Sequence, residues 1–214
     1  MFRLLTNRIA LLSLGISLLG AAHSYAQKRS APENPSDVNR RVFAEEGRCR
    51  ALVKEKKWQE AETVCKAAVS LADRLPRESM LEKMVAYEMF GHVLMGQNRY
   101  GEALDYYTRA LDFVRPVIKE TDAELARLYG DIAVAHHGLR DLDKAREMYR
   151  KSERSFQLAY ENIGKGDAGD ESDNLKQQYL KSLKRILGFH LIAAEQAGLA
   201  SEVEEVRKLL ADLP

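Results

Sequence analysis

Ala61, Ala103 and Ala145 stand 42 residues apart, each within the same short phrase: Trp58-Gln59-Glu60-Ala61, Tyr100-Gly101-Glu102-Ala103 and Leu142-Asp143-Lys144-Ala145. Recurrence at a fixed period means that one supersecondary unit is stacked on copies of itself, which decides the fold before any side-chain chemistry is considered. The unit extends in both directions from each alanine. Cys65, Tyr107 and Tyr149 follow it by four residues; Cys49, Gly91 and Ala133 precede it by twelve, and Leu52, Leu94 and His136 by nine. Small residues at a crossing let two antiparallel helices approach closely, and large ones fill the seams beside them.

The second copy reads Tyr87-x2-Phe90-Gly91-x2-Leu94 followed by Ala103-x3-Tyr107, and the third Tyr129-x2-Ile132-Ala133-x2-His136 followed by Ala145-x3-Tyr149. This resembles the tetratricopeptide repeat, whose usual period is 34 residues. The first copy keeps Cys49, Leu52, Trp58 and Ala61 but places Glu45 and Arg48 where apolar residues belong. Eight additional residues per unit add about 12 Å of helix, and the 42-residue spacing is similar to the long-helix variety found in kinesin light chains. The resemblance covers residues 42–156 well. It implies an all-α solenoid of antiparallel helix pairs, with about three repeats and a degenerate C-terminal pair. The expected repeat core is Trp58, Ala61, Tyr87, Gly91, Leu94, Ala103, Tyr107, Tyr129, Ala133, Ala145 and Tyr149.

Residues 1–26 read as a secretory signal peptide: Arg3 and Arg8 open it, residues 9–22 form an apolar run, and Ser24-Tyr25-Ala26 offers a cleavage site. The run is short for a membrane span. Without those two arginines the chain carries 31 basic and 32 acidic side chains, a net charge of −1. That balance argues against a nucleic-acid binder and against attraction to an anionic membrane. The expected destination is the periplasm or the exterior. Residues 27–35 read as a flexible leader and 36–214 as the repeat domain.

Helices are expected from Ser36, which can cap the first, and from Trp58, Ser79, Arg99, Thr121, Asp141, Ser172 and Ser201. Thr121-Asp122-Ala123-Glu124 and Ser201-Glu202-Val203-Glu204 have the form of capping boxes, Pro116 falls late in the fourth helix and should kink or end it, and the glycines of residues 164–170 mark a long loop. The last pair matches the repeat poorly and its register is ambiguous in the sequence. The two cysteines, Cys49 and Cys65, fall on facing helices of the first repeat, where a disulfide or two buried thiols both fit; an exported compartment permits the bond.

No phosphate loop, nucleophile elbow, His-Glu-x-x-His or zinc-spaced cysteine cluster occurs, so no enzyme, cofactor or metal ligand is assigned. The resemblance instead implies a partner groove on the first helix of each pair, 18, 15, 11 and 8 residues before the key alanine. Those positions are Phe43, Glu46, Arg50 and Val53; Val85, Glu88, His92 and Met95; and Arg127, Gly130, Val134 and His137. Spacings of three, four and three put each set on one helical face. Glu46 and His92 stand where the chaperone-binding members carry Lys and Asn, so that activity is not implied. The functional expectation is a non-enzymatic scaffold holding a protein or peptide partner. The alternative is a small-ligand or metal-responsive protein using His92 and His137.

Overall fold

The computed structural model describes residues 34–163 and 170–214. Among these are eight helices and no strand: α1 Pro35–Lys54, α2 Trp58–Ala72, α3 Met80–Gly96, α4 Tyr100–Val114, α5 Ala123–Gly138, α6 Leu142–Asn162, α7 Asp170–Gln196 and α8 Ala200–Asp212. The signal peptide, nearly all of the leader and nearly all of the 164–170 loop expected from the sequence lie outside the described residues. Residues 38–214 form one compact unit in which α1 is tied to α2 through Cys49 and Cys65, each helix from α2 onward packs on its neighbour in the chain, and α7 returns to touch α5.

Local chemistry sets the helix boundaries. Asn34, not Ser36, caps α1: its carboxamide oxygen accepts the Ser36 amide at 3.0 Å, with Pro35 at the first helical position, where its missing N–H costs nothing. α4 ends at Val114, with Arg115 between it and Pro116. Neither expected capping box forms. Asp122 precedes α5 and turns its carboxylate back to the Lys119 amide at 2.8 Å, while α8 begins at Ala200, ahead of Ser201.

The start of α8 is fixed by the turn before it. In all four pairs the residue five before the key position has positive φ: Lys56 (57°), Asn98 (61°), Arg140 (61°) and Gly198 (71°). In each turn the next amide but none closes back on the first helix: Lys57 to the Leu52 carbonyl at 2.9 Å, Arg99 to Leu94 at 2.9 Å, Asp141 to His136 at 3.0 Å and Leu199 to Ala194 at 3.1 Å. A left-handed residue with this back-bond ends a helix and reverses the chain. The fourth turn repeats the other three, so Val203 is the counterpart of Ala61, Ala103 and Ala145. The ambiguous register of the C-terminal pair is thereby resolved.

Of the repeat positions, Ala61, Tyr87, Gly91, Leu94, Ala103, Tyr107, Ala133, Ala145 and Tyr149 are buried, whereas Trp58 and Tyr129 are half-buried. Trp58 is displaced from the interior because it covers the next repeat: a Cβ on Gly96 would stand 2.6 Å from its ring, and Tyr100 covers Gly138 at the same distance. Gly91 lies against Tyr107, where a Cβ would meet Cε1 at 2.5 Å. The apolar interior forms two clusters that both draw on α5. Leu125, Leu128, Ile132 and Ala135 face the one shared with α1–α4, and Ala126 and Ala133 face the one shared with α6–α8. Cys49 and Cys65 are joined in a disulfide between α1 and α2, with Cα atoms 5.3 Å apart.

Candidate functional site

The residues expected to line a groove divide into an exposed set and a buried set. Phe43 (56 % exposed), Arg50 and Arg127 face solvent, and Val53, Val85, His92, Met95, Val134 and His137 are partly covered. Glu46 and Glu88 are buried at 4 % and 2 % exposure, and Gly130 is sealed beneath Ile186, whose Cδ1 stands 2.6 Å from where a Cβ would sit. The positions 15 residues before the key residue therefore point into the interhelical seam rather than onto an open surface.

His92 and His137 do not share a site. The His137 ring bonds the Tyr149 hydroxyl at 3.2 Å and the Gln196 side-chain oxygen at 3.1 Å, on the α6–α7 side. The His92 ring instead reaches Asp131 of α5 at 2.9 Å and packs edge-on to Tyr107. Glu88, one helical turn before His92, takes the Arg127 guanidinium at 3.0 Å. Burial lifts the Glu88 carboxyl up to about 7 against the pull of Arg127. Burial also opposes charge on His92 and Asp131, but each outweighs it for the other: His92 rises above the ordinary histidine range and Asp131 falls below the usual carboxylate range.

His92 and Asp131 of this charged cluster line a cavity of about 190 Å³ between α3, α5 and α7, whose walls include Met95, Val134, Ile186 and Phe189, with Arg185 also lining it. Four of these residues, Asp131, Arg185, Ile186 and Phe189, escape the sequence reading. Asp131 lies one position past the expected groove face. Arg185 is the counterpart of Arg127 once Val203 sets the register, and the signal that gives it is Gly198.

A second buried network ties α6, α7 and α8. Both His190 ring nitrogens donate to carboxylates, Nδ1 to Glu153 and Nε2 to Glu202, at 2.7 Å each. Glu202 also accepts from Arg146 at 2.8 Å and Arg150 at 2.7 Å. Burial disfavours the imidazolium, yet the two glutamates lift His190 above its ordinary value. Both ring nitrogens are satisfied within the protein, so the network is an internal brace.

The folded chain can be set beside known proteins. Residues 82–157 match the tetratricopeptide repeat family, and that part of the chain belongs to it. The whole array has the fold of a tetratricopeptide-like solenoid. BtubC (BKLC) from P. vanneervenii is similar at TM-score 0.50 and 17 % identity, over 94 % of this chain and 90 % of that one. Tetratricopeptide-like repeats of a Podospora anserina kinesin light chain homologue are similar at TM-score 0.51 and 12 % identity, over 85 % and 96 %. A tetratricopeptide-like protein from Chlorobium tepidum is similar at TM-score 0.50 and 12 % identity, over 71 % and 98 %. These identities carry the fold and not the function. No curated protein matches the chain in sequence.

Proposed function

We propose that this protein is an exported, non-enzymatic scaffold that holds a segment of another protein along the face made by α1, α3, α5 and α7. The observation that carries the reading is the sequence of side chains at equivalent places in the four pairs. The outermost position holds Phe43, Val85, Arg127 and Arg185, and the next open one Arg50, His92, Val134 and Ile192. Each pair thus sets one apolar side chain beside one basic side chain along one side of the array, where Phe43, Phe189 and Ile192 are exposed. An extended peptide or a helix with acidic and apolar side chains complements such a strip, with guanidinium–carboxylate pairs fixing its register. No helix among the described residues is long and apolar enough to cross a membrane. Export rests on the N-terminal segment, and amino-terminal sequencing of the exported form should find a start near Gln27; a retained Met1 would remove that part of the reading.

Proximity labelling in the native compartment tests the groove. Arg50→Glu combined with Arg185→Glu should deplete a defined set of labelled proteins while leaving the circular-dichroism spectrum unchanged. Arg127 is left alone because its reversal would abandon the buried Glu88 carboxylate and confuse misfolding with lost binding. An identical labelled set would reject the groove.

A further inference from the structure

His92 and Asp131 do more than line the cavity, because Glu88 stands beside them. Glu88 and His92 are four apart on α3, so both project from one face, the spacing by which a single helix chelates an ion. Asp131 faces them from α5. One ligand atom from each residue lies within 4.8 Å of the other two. His92 Nε2 and Asp131 Oδ2, at 2.9 Å, are already close to the separation of two donors on one small cation.

A second observation is independent of that clustering. Glu88 is 2 % exposed, and its Oε1 has no hydrogen-bond partner among the described residues, although Oε2 holds Arg127. A buried carboxylate oxygen without a donor is a costly arrangement in a folded protein and calls for something that binds it. Ion pairing explains His92 with Asp131 and Arg127 with Glu88 Oε2; the second Glu88 oxygen is left to a proton shared with Asp131, which raises the Glu88 carboxyl, and a cation seated among the three residues would take that proton's place.

We propose that Glu88, His92 and Asp131 bind one first-row divalent cation, with Zn²⁺ the best match to two carboxylates and one imidazole. Mixed oxygen and nitrogen donors select such ions over Mg²⁺ or Ca²⁺, which take all-oxygen sets. Three protein ligands leave at least one coordination position, and the cavity beside His92 and Asp131 gives it an approach for water or for a donor atom of a bound molecule. Arg127 remains on the outer oxygen of Glu88 and orients the carboxylate, as outer-shell partners of metal ligands do. His137 has no part in the site, since its ring is committed to Tyr149 and Gln196.

Chelator-treated full-length protein titrated with Zn²⁺ by isothermal calorimetry should bind one equivalent and gain thermal stability. Glu88→Gln and Asp131→Asn should each weaken binding by about ten-fold or more, while His137→Gln leaves it unchanged. Co²⁺ added to the unaltered protein provides a readout that does not depend on variant folding. One equivalent should give a visible d–d spectrum that Zn²⁺ displaces stoichiometrically. Absence of both heat and spectrum would overturn the proposal. So would Zn²⁺ binding that survives Asp131→Asn and is abolished by His137→Gln, because the ion would then be held elsewhere. Partner labelling at Arg50 and Arg185 does not enter these readouts, so the two readings fail separately.

Discussion

The indole of Trp58 lies against the Cα of Gly96, one repeat further along, so closely that a Cβ at position 96 would stand 2.6 Å from Cε3. A rigid bicycle cannot move aside as a flexible chain can, so Gly96→Ala should cost about 1–3 kcal/mol through overpacking. That cost opposes alanine's greater helix propensity, worth about 1 kcal/mol. Gly47, in the middle of α1 with nothing within 4 Å of its Cβ direction, isolates the second effect. Gly47→Ala should stabilise by up to about 1 kcal/mol. Urea midpoints of the two variants moving in the same direction would refute the stacking account.

Lys56, Asn98 and Arg140 hold the left-handed conformation that Gly198 adopts without steric penalty. Lys56→Gly and Arg140→Gly should each stabilise the fold, by about 0.5–1 kcal/mol after the flexibility of glycine in the unfolded chain is deducted. Gly198→Ala should destabilise by about 1 kcal/mol. Thermal melts of the three variants read these shifts directly.

His190 is held as an imidazolium by Glu153 and Glu202. Its folded pKa lies above the unfolded value. The stability it contributes is therefore complete below about pH 6.5 and is lost as the pH rises through the folded value. Removing one partner of a buried ionic set typically costs about 3–5 kcal/mol, so His190→Gln should be weaker by an amount of that order at pH 6. Its stability should also decline less between pH 6.5 and 9 than that of the unaltered protein. Parallel pH profiles would show that the ring is not the titrating brace.

Glu46 presents the opposite chemistry. Burial pushes its carboxyl up to about 7 despite Arg50, with Glu82 adding to the rise, and its Oε1 lacks a hydrogen-bond partner among the described residues. A raised carboxyl pKa favours the protonated folded state. The associated stability is complete below about pH 4.5 and is lost as the pH climbs through 7. Glu46→Leu should therefore be more stable than the unaltered protein at pH 8, by about 1–2 kcal/mol. The gap should narrow toward pH 4.5; a gap that widens on acidification would reverse the assignment.

Cys49 and Cys65 close a loop with a sequence separation of 16. Cross-linking a loop of about that length stabilises by roughly 3 kcal/mol in the chain-entropy account. Melting with and without reductant, compared with the Cys49→Ser and Cys65→Ser double variant, should show that loss only where the bond is present.

The repeat was legible because Ala61, Ala103 and Ala145 must be small at every crossing, a requirement written into the residue type itself. The site was less legible. Glu46 and Glu88 fall on the expected groove face by periodicity, yet the seam between neighbouring helices is wider than one stripe and encloses both. Asp131 reaches His92 only through the crossing of α3 and α5, a relation that single-helix spacing does not encode. The capping boxes at Thr121 and Ser201 failed for a related reason: the carboxylate of Asp122 turns back on its own loop, and the left-handed Gly198 sets the start of α8 before Ser201 can. Trp58 and Tyr129 show the same limit, since apolar periodicity marks a residue for burial without saying which repeat it will cover.

Because α5 supplies opposite faces to both apolar clusters, unravelling from either end of the array meets a helix that still has a complete interface on its other side. Solenoids open by losing terminal units one interface at a time. The amides of α5 should accordingly outlast those of α1 and α8 in deuterium exchange. The centre of endurance in this chain is then the helix that also carries Arg127 and Asp131, so the surroundings of those two residues stay shaped while the ends breathe.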